Sequence, residues 1–284
     1  ILGLESGDLD LIDAISPQDA ERMAKDTKLQ ILNPPSAGLT RIYMNTQKGP
    51  LTNKLVRQAL NYAVDKDAIV KSIFLGKATV GHSWAPEGTF GYTGEYDVYK
   101  YDPAKAKQLL QQAGVSNLKF TLMHSPGRYL LSTEVSEVIK SQLAQVGVTM
   151  EIQNIEWGTF SSLTKLPLAE TKFESCFYWW RSINGDADSA IADFASKYYP
   201  PANNTSFFTN AEYDKLYAAE QIEQDTAKRE QMLKRMQQIL MDEMPGILLY
   251  MQPNLWGAKA GLKGIEINAL SCLQPMHNVI FTSK

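Results

Sequence analysis

The sequence predicts an α/β protein whose mixed sheet is flanked by helices. Residues 118–123, 135–146 and 148–152 read as strand, amphipathic helix and strand in direct succession, which implies a parallel pair within that sheet. Leu55, Val56, Ala59, Leu60, Ala63 and Val64 recur at helical spacing and leave one apolar face to bury. Residues 173–180 and 247–251 are apolar or aromatic runs of strand length.

The remaining elements follow in order. Leu4-Glu5-Ser6-Gly7 reads as a helix end with no targeting signal before it, so the chain is expected to be a piece of a longer protein. Residues 9–12 form a short strand. Ser16-Pro17-Gln18-Asp19 supplies an N-cap, a proline at the first helical position and an acid at the third, opening a helix to about residue 26. Strands are expected at 29–32 and 39–44, the first stopped by Asn33-Pro34-Pro35. Asp65 and Asp102 cap two further helices, and Gly76 and Gly114 end them. A helix follows Trp157. Residues 211–222 and 225–242 are helical, residues 254–258 cross between elements, and the segment after Gly264 is irregular and apolar enough to need a partner surface.

Composition excludes several classes. A 284-residue chain with 44% hydrophobic and 21% charged residues buries a large core as one big domain or two smaller ones. A net charge of −3 argues against nucleic-acid binding, which needs a basic excess. No apolar run reaches the roughly 18 residues of a spanning helix. The two cysteines, Cys176 and Cys272, pair only if their Cα atoms lie within about 7 Å, and Cys176 in an apolar strand predicts a buried free thiol. Neither C-x-x-C nor H-E-x-x-H occurs and the three histidines are scattered, so neither metal nor cofactor is expected.

Chemistry concentrates in Tyr178-Trp179-Trp180-Arg181-Ser182-Ile183-Asn184-Gly185-Asp186-Ala187-Asp188, where an aromatic strand ends in a cation and then a turn with two carboxylates. Two indoles beside charges suit the wall of an amphipathic ligand site. A packed Trp pair, with Asp186 and Asp188 opening a loop and capping the next helix, accounts for the same residues.

Val56-Arg57-Gln58-Ala59-Leu60-Asn61-Tyr62-Ala63-Val64-Asp65-Lys66 resembles the extracellular solute-binding proteins that serve peptide and nickel ABC importers. Tyr101-Asp102-Pro103 with Ala106 and Leu109-Leu110, Gly127-Arg128-Tyr129, the run from Gln142 to Val148, and Pro245-Gly246-Ile247 before Tyr250 agree in order and spacing. The resemblance implies a periplasmic-binding-protein-like (type II) lobe with partial segments of a second lobe. Residues 46–257 would be an inserted C-terminal lobe, 1–45 a segment of the first lobe, and 258–284 the return to it, with the N-terminal part of the same protein as their missing partner.

The family's peptide binders place an Asp just beyond the strand Trp to meet a peptide's α-ammonium; here that place falls on Ile183. Either Asp186 and Asp188 replace it, or the ligand has no amine at that spot. Asp186-Ala187-Asp188, followed by Pro200-Pro201-Ala202-Asn203-Asn204, is similar to glutathione-binding members. Arg128 and Arg181 are the candidate carboxylate ligands, since guanidinium binds carboxylate through two parallel hydrogen bonds. Tyr129 and one of Trp179 and Trp180 would supply walls, because alternation puts the two indoles on opposite faces, and Trp180 is preferred for adjoining the loop. Ser182 and Asn184 complete the set. The expected function is capture of a short peptide or peptide-like solute for a membrane permease outside the cytoplasm. A peptide-sensing or nickel-complex receptor is the alternative. An enzyme is disfavoured because no nucleophile with a base accompanies the acids.

Overall fold

The computed structural model describes residues 1–95, 98–267 and 278–282. Helices are α1 (Leu2–Ser6), α2 (Pro17–Met23), α3 (Lys54–Ala63), α4 (Lys66–Ser72), α5 (Pro103–Gln112), α6 (Ser132–Ala144), α7 (Trp157–Leu163), α8 (Asp188–Ile191), α9 (Ala211–Glu220) and α10 (Thr226–Glu243). Strands are β1 (Leu11–Ile12), β2 (Leu29–Leu32), β3 (Gly38–Met44), β4 (Thr79–Val80), β5 (Lys119–His124), β6 (Thr149–Asn154), β7 (Ser175–Arg181), β8 (Gly246–Met251), β9 (Trp256–Lys259), β10 (Leu262–Lys263) and β11 (Ile280–Phe281). The N-caps read from sequence are made: Ser16, Asp65 and Asp102 accept the backbone N–H three residues on.

Six strands form one mixed sheet in the order β4-β8-β3-β7-β5-β6. β5 runs parallel to β6, as the strand–helix–strand order requires, and parallel to β7, while β3 is antiparallel to both β7 and β8. Its two faces carry separate cores. One packs Val56, Leu60, Ile69, Phe120, Ile139 and Phe177 under α3 to α6. The other packs Trp84, Cys176, Phe194, Tyr213, Leu233 and Leu240 under α8 to α10. Cys176 is a buried free thiol, and burial pushes its pKa up; Cys272 lies outside the described residues.

A second, three-stranded sheet, β1-β9-β2, carries its own small core of Leu4, Ile15, Ala20, Met23 and Leu255. The crossing segment expected at 254–258 therefore contains a strand, β9, paired on both edges. The division between the two sheets falls between β2 and β3. β3, which lies within the segment 1–45, sits in the middle of the large sheet, where its seven residues pair with β7 on one edge and Leu39 to Tyr43 pair with β8 on the other.

Candidate functional site

β5 ends at His124, and the chain turns through Ser125–Leu131 before α6 begins. Gly127 at φ 74° lets that turn project Arg128 and Tyr129 in succession. The ring of Tyr129 lies 6.1 Å from both Phe177 and Trp157. The Arg128 guanidinium stacks 4.3 Å above the indole of Trp157, in the first turn of α7. Burial pushes the Tyr129 phenol well up, so it stays protonated as a hydrogen-bonding tip.

His124 holds this arrangement from beneath. It is fully buried, with Nδ1 3.2 Å from Asn154 Oδ1 and Nε2 2.9 Å from Ser132 Oγ. An amide oxygen only accepts, so Nδ1 carries the proton and Nε2 accepts from the serine hydroxyl. Burial lowers the His124 pKa and keeps the ring neutral. One imidazole thus ties the first turn of α6, behind Arg128, to the end of β6, just ahead of Trp157.

β7 runs past this corner. Phe177 belongs to the first core and Cys176, Tyr178 and Trp180 to the second, so Trp179 and Arg181 share the face of Phe177. Trp179 joins Arg128, Tyr129, Leu130, Leu131 and Gln252 around a groove of about 500 Å³, closed on the far side by Ala14 of the small module. The Arg181 guanidinium lies 5.9 Å from the Trp179 ring. A second groove of about 530 Å³ opens on the other side of Arg128, along Asn154, Glu156 and Trp157.

The residues after β7 serve a different purpose. Trp180 donates its indole N–H to the Ser189 carbonyl at 2.9 Å. Ser182 is buried, its hydroxyl 2.8 Å from that of Ser189 and its N–H bonded to the Ala37 carbonyl. Asn184 accepts the Asp186 N–H at 3.1 Å and closes the turn. Asp186 accepts the Asp188 N–H at 2.9 Å with one oxygen and pairs with Arg229 Nη1 at 2.5 Å with the other. Phe90 brackets the loop through backbone bonds to Gly185 and Ala187. Arg229 also reaches Glu220 at 3.0 Å, and Glu220 is 1% exposed. Burial raises the Glu220 pKa, the Asp188 charge adds to the rise, and Arg229 opposes it.

Of the nine residues singled out in the sequence, the structure gathers Arg128 and Tyr129 into one groove and places Arg181 beside its Trp179 wall. Trp180, Ser182, Asp186 and Asp188 form the anchor of the loop, and Ile183 and Asn184 are exposed at its tip. Trp179, rather than the preferred Trp180, faces Arg128 and Tyr129: the strand's register against β3 decides this, pairing Trp180 with Leu39 of the second core. The Asn-rich stretch is a knot within that core. Asn204 is buried and its amide bonds the carbonyls of Phe194, Ala195 and Phe208. Sequence reasoning missed Trp157, although an aromatic in the first helical turn after a parallel strand sits where β/α sheets bind ligands. It also missed Arg229, for which no sequence signal exists 43 residues from Asp186. Among the described residues no group of three or more His, Cys, Asp or Glu side chains is arranged to hold a metal ion.

The model of the bacterial extracellular solute-binding proteins, family 5 (middle), matches residues 1–234, and the chain belongs to this family. It is 32% identical over 249 residues to the glutathione-binding protein GsiB of Pectobacterium atrosepticum, an alignment covering 87% of this chain and 48% of that protein. Against GsiB of Escherichia coli the identity is 30% over 267 residues, covering 93% and 52%. The chain thus spans about half the length of the curated relatives it matches. Among solved structures, HbpA2 from Haemophilus parasuis superposes with a TM-score of 0.86 at 28% identity, over 99% of this chain and 55% of that one. The fold is also that of the periplasmic binding protein DppA from Helicobacter pylori in complex with the peptide STSA, at TM-score 0.85 and 24% identity over 99% and 54%.

Proposed function

We propose that this chain is the ligand-binding part of an extracytoplasmic solute-binding component of an ABC importer, which captures a short peptide or peptide-like solute, glutathione among the candidates, and hands it to a membrane permease. The observation that carries this reading is the groove itself: a guanidinium stacked on Trp157, flanked by Tyr129 and Trp179, at the junction of the large sheet and the small module. Apolar walls with one fixed, bidentate cation suit a small solute that mixes aliphatic surface with a carboxylate.

The large sheet with its two cores is the inserted lobe, and β1, β2 and β9 belong to the lobe that meets it. Closure of the two lobes buries the solute, and affinity comes from the difference in contact between closed and open states. No bond is made or broken. Calorimetry of the full-length protein with glutathione and with dipeptides tests the proposal. Heat of binding with one of these is expected; none with either, from folded protein, would sink it.

A further inference from the structure

We infer that, at this wall, the solute presents a carboxylate and no ammonium, so that the Arg181–Asp188 loop is a fixed strut and not an amine site; this rests on the peptide-like reading above. Three observations carry it. The groove beside Trp179 is lined by one cation, Arg128, and by no acid among the described residues. The Arg128 guanidinium lies over the Trp157 ring at 4.3 Å and makes no ion pair among the described residues, which leaves its charge and N–H donors for a carboxylate.

The third observation is the state of the loop acids. Both Asp186 oxygens are engaged, one by the Asp188 amide and one by Arg229. A ligand ammonium at Asp186 would have to displace Arg229, which also neutralises the buried Glu220. Asp188 sits against that same Glu220, and its Oδ1, although without a hydrogen-bond partner, is buried away from the surface. Ile183, at the tip, is 67% exposed and carries no charge to offer. In the neighbouring groove Glu156 caps α7 through the Thr159 N–H, and those helix amides lower its pKa.

The test uses full-length protein and two ligand series, glutathione and trialanine, each with free ends, N-acetylated, or with its carboxyl groups amidated. In the series that binds, amidation is expected to weaken wild type at least about tenfold, and Arg128→Gln to reduce that penalty to about threefold or less. Arg128→Lys should restore part of it, as a point charge without the fork. Whatever N-acetylation costs wild type, Asp186→Asn and Glu156→Gln are expected to leave that cost unchanged.

An amidation penalty that survives Arg128→Gln would overturn the inference. So would loss of the N-acetylation penalty in Asp186→Asn or Glu156→Gln. If Asp186→Asn does not fold, Ile183→Asp replaces it: with no ammonium at this wall it should leave the N-acetylation cost as it is in wild type, and a larger cost counts against the inference. No heat in either series would instead overturn the peptide-like function itself.

Discussion

On one face of β7 Trp179 lies across Gly38 and beside Tyr129, its indole N–H buried without a hydrogen-bond partner. On the other face Trp180, the next residue, donates its indole N–H to Ser189 and packs into the second core. The same division runs through the charges. Arg128 has no ion pair among the described residues, while on the opposite side Asp186 and Glu220 both pair with Arg229, next to Asp188, whose Oδ1 is buried without a hydrogen-bond partner. A run that reads as a single cluster of aromatic and charged residues therefore splits into the wall of the candidate groove and its support. Asp186, Glu220 and Arg229, paired with one another, hold the loop; a cation left without an ion pair can recognise a solute.

The most severe way to break this division is at the support. Arg229→Met leaves Glu220, 1% exposed, and Asp186 without a counter-charge, and is expected to lower stability by about 3 kcal/mol in urea denaturation. Adding Glu220→Gln should recover part of that loss, whereas an unchanged midpoint in the single variant would show the network to be unimportant.

Substitutions at the two tryptophans come next. Trp180→Phe removes a hydrogen bond from a half-buried indole and is expected to cost about 1–2 kcal/mol of stability. Trp179→Phe removes no such bond and should cost less stability while weakening ligand binding more. Gly38→Ala sharpens the contrast, because its Cβ would lie 2.4 Å from the Trp179 indole and must push it aside. Its expected signature is a loss of affinity of about tenfold or less, read by calorimetry on the full-length protein.

His124 offers a smaller, pH-dependent effect. Its pKa in the folded protein lies below the ordinary 6.5, so between the two values the unfolded chain binds more protons. Stability should therefore fall as pH drops through and below 6.5, and His124→Gln should flatten that part of the profile. A pH slope that His124→Gln leaves intact would assign it to another group. Ile183→Asn should be the mildest change, within about 0.5 kcal/mol of wild type, since the side chain is mostly in water.

Much of the fold was legible because the signals are local. Ser16, Asp65 and Asp102 cap helices through side-chain geometry that spans three residues, and Gly7, at φ 92°, stops α1 as read. The parallel pairing of β5 and β6 followed from the strand–helix–strand order, in which the helix carries the chain back to the starting edge. The lining of the candidate groove was half legible. Arg128 and Tyr129 were found as a turn motif and the opposition of the two indoles as simple alternation. Which indole faced the groove was not, because that depends on the register of β7 against β3.

By itself, then, the sequence determined the helices with their caps, the mixed α/β sheet, the family resemblance and the stretch where chemistry gathers. These rest on patterns within a few residues or on matched motifs. Tertiary structure alone decided that β3 joins the large sheet, that Trp179 and Trp157 flank Arg128, and that Asp186 belongs to Arg229. Each is a pairing between segments tens to more than a hundred residues apart, chosen by which partner leaves the fewest buried polar groups and charges unanswered.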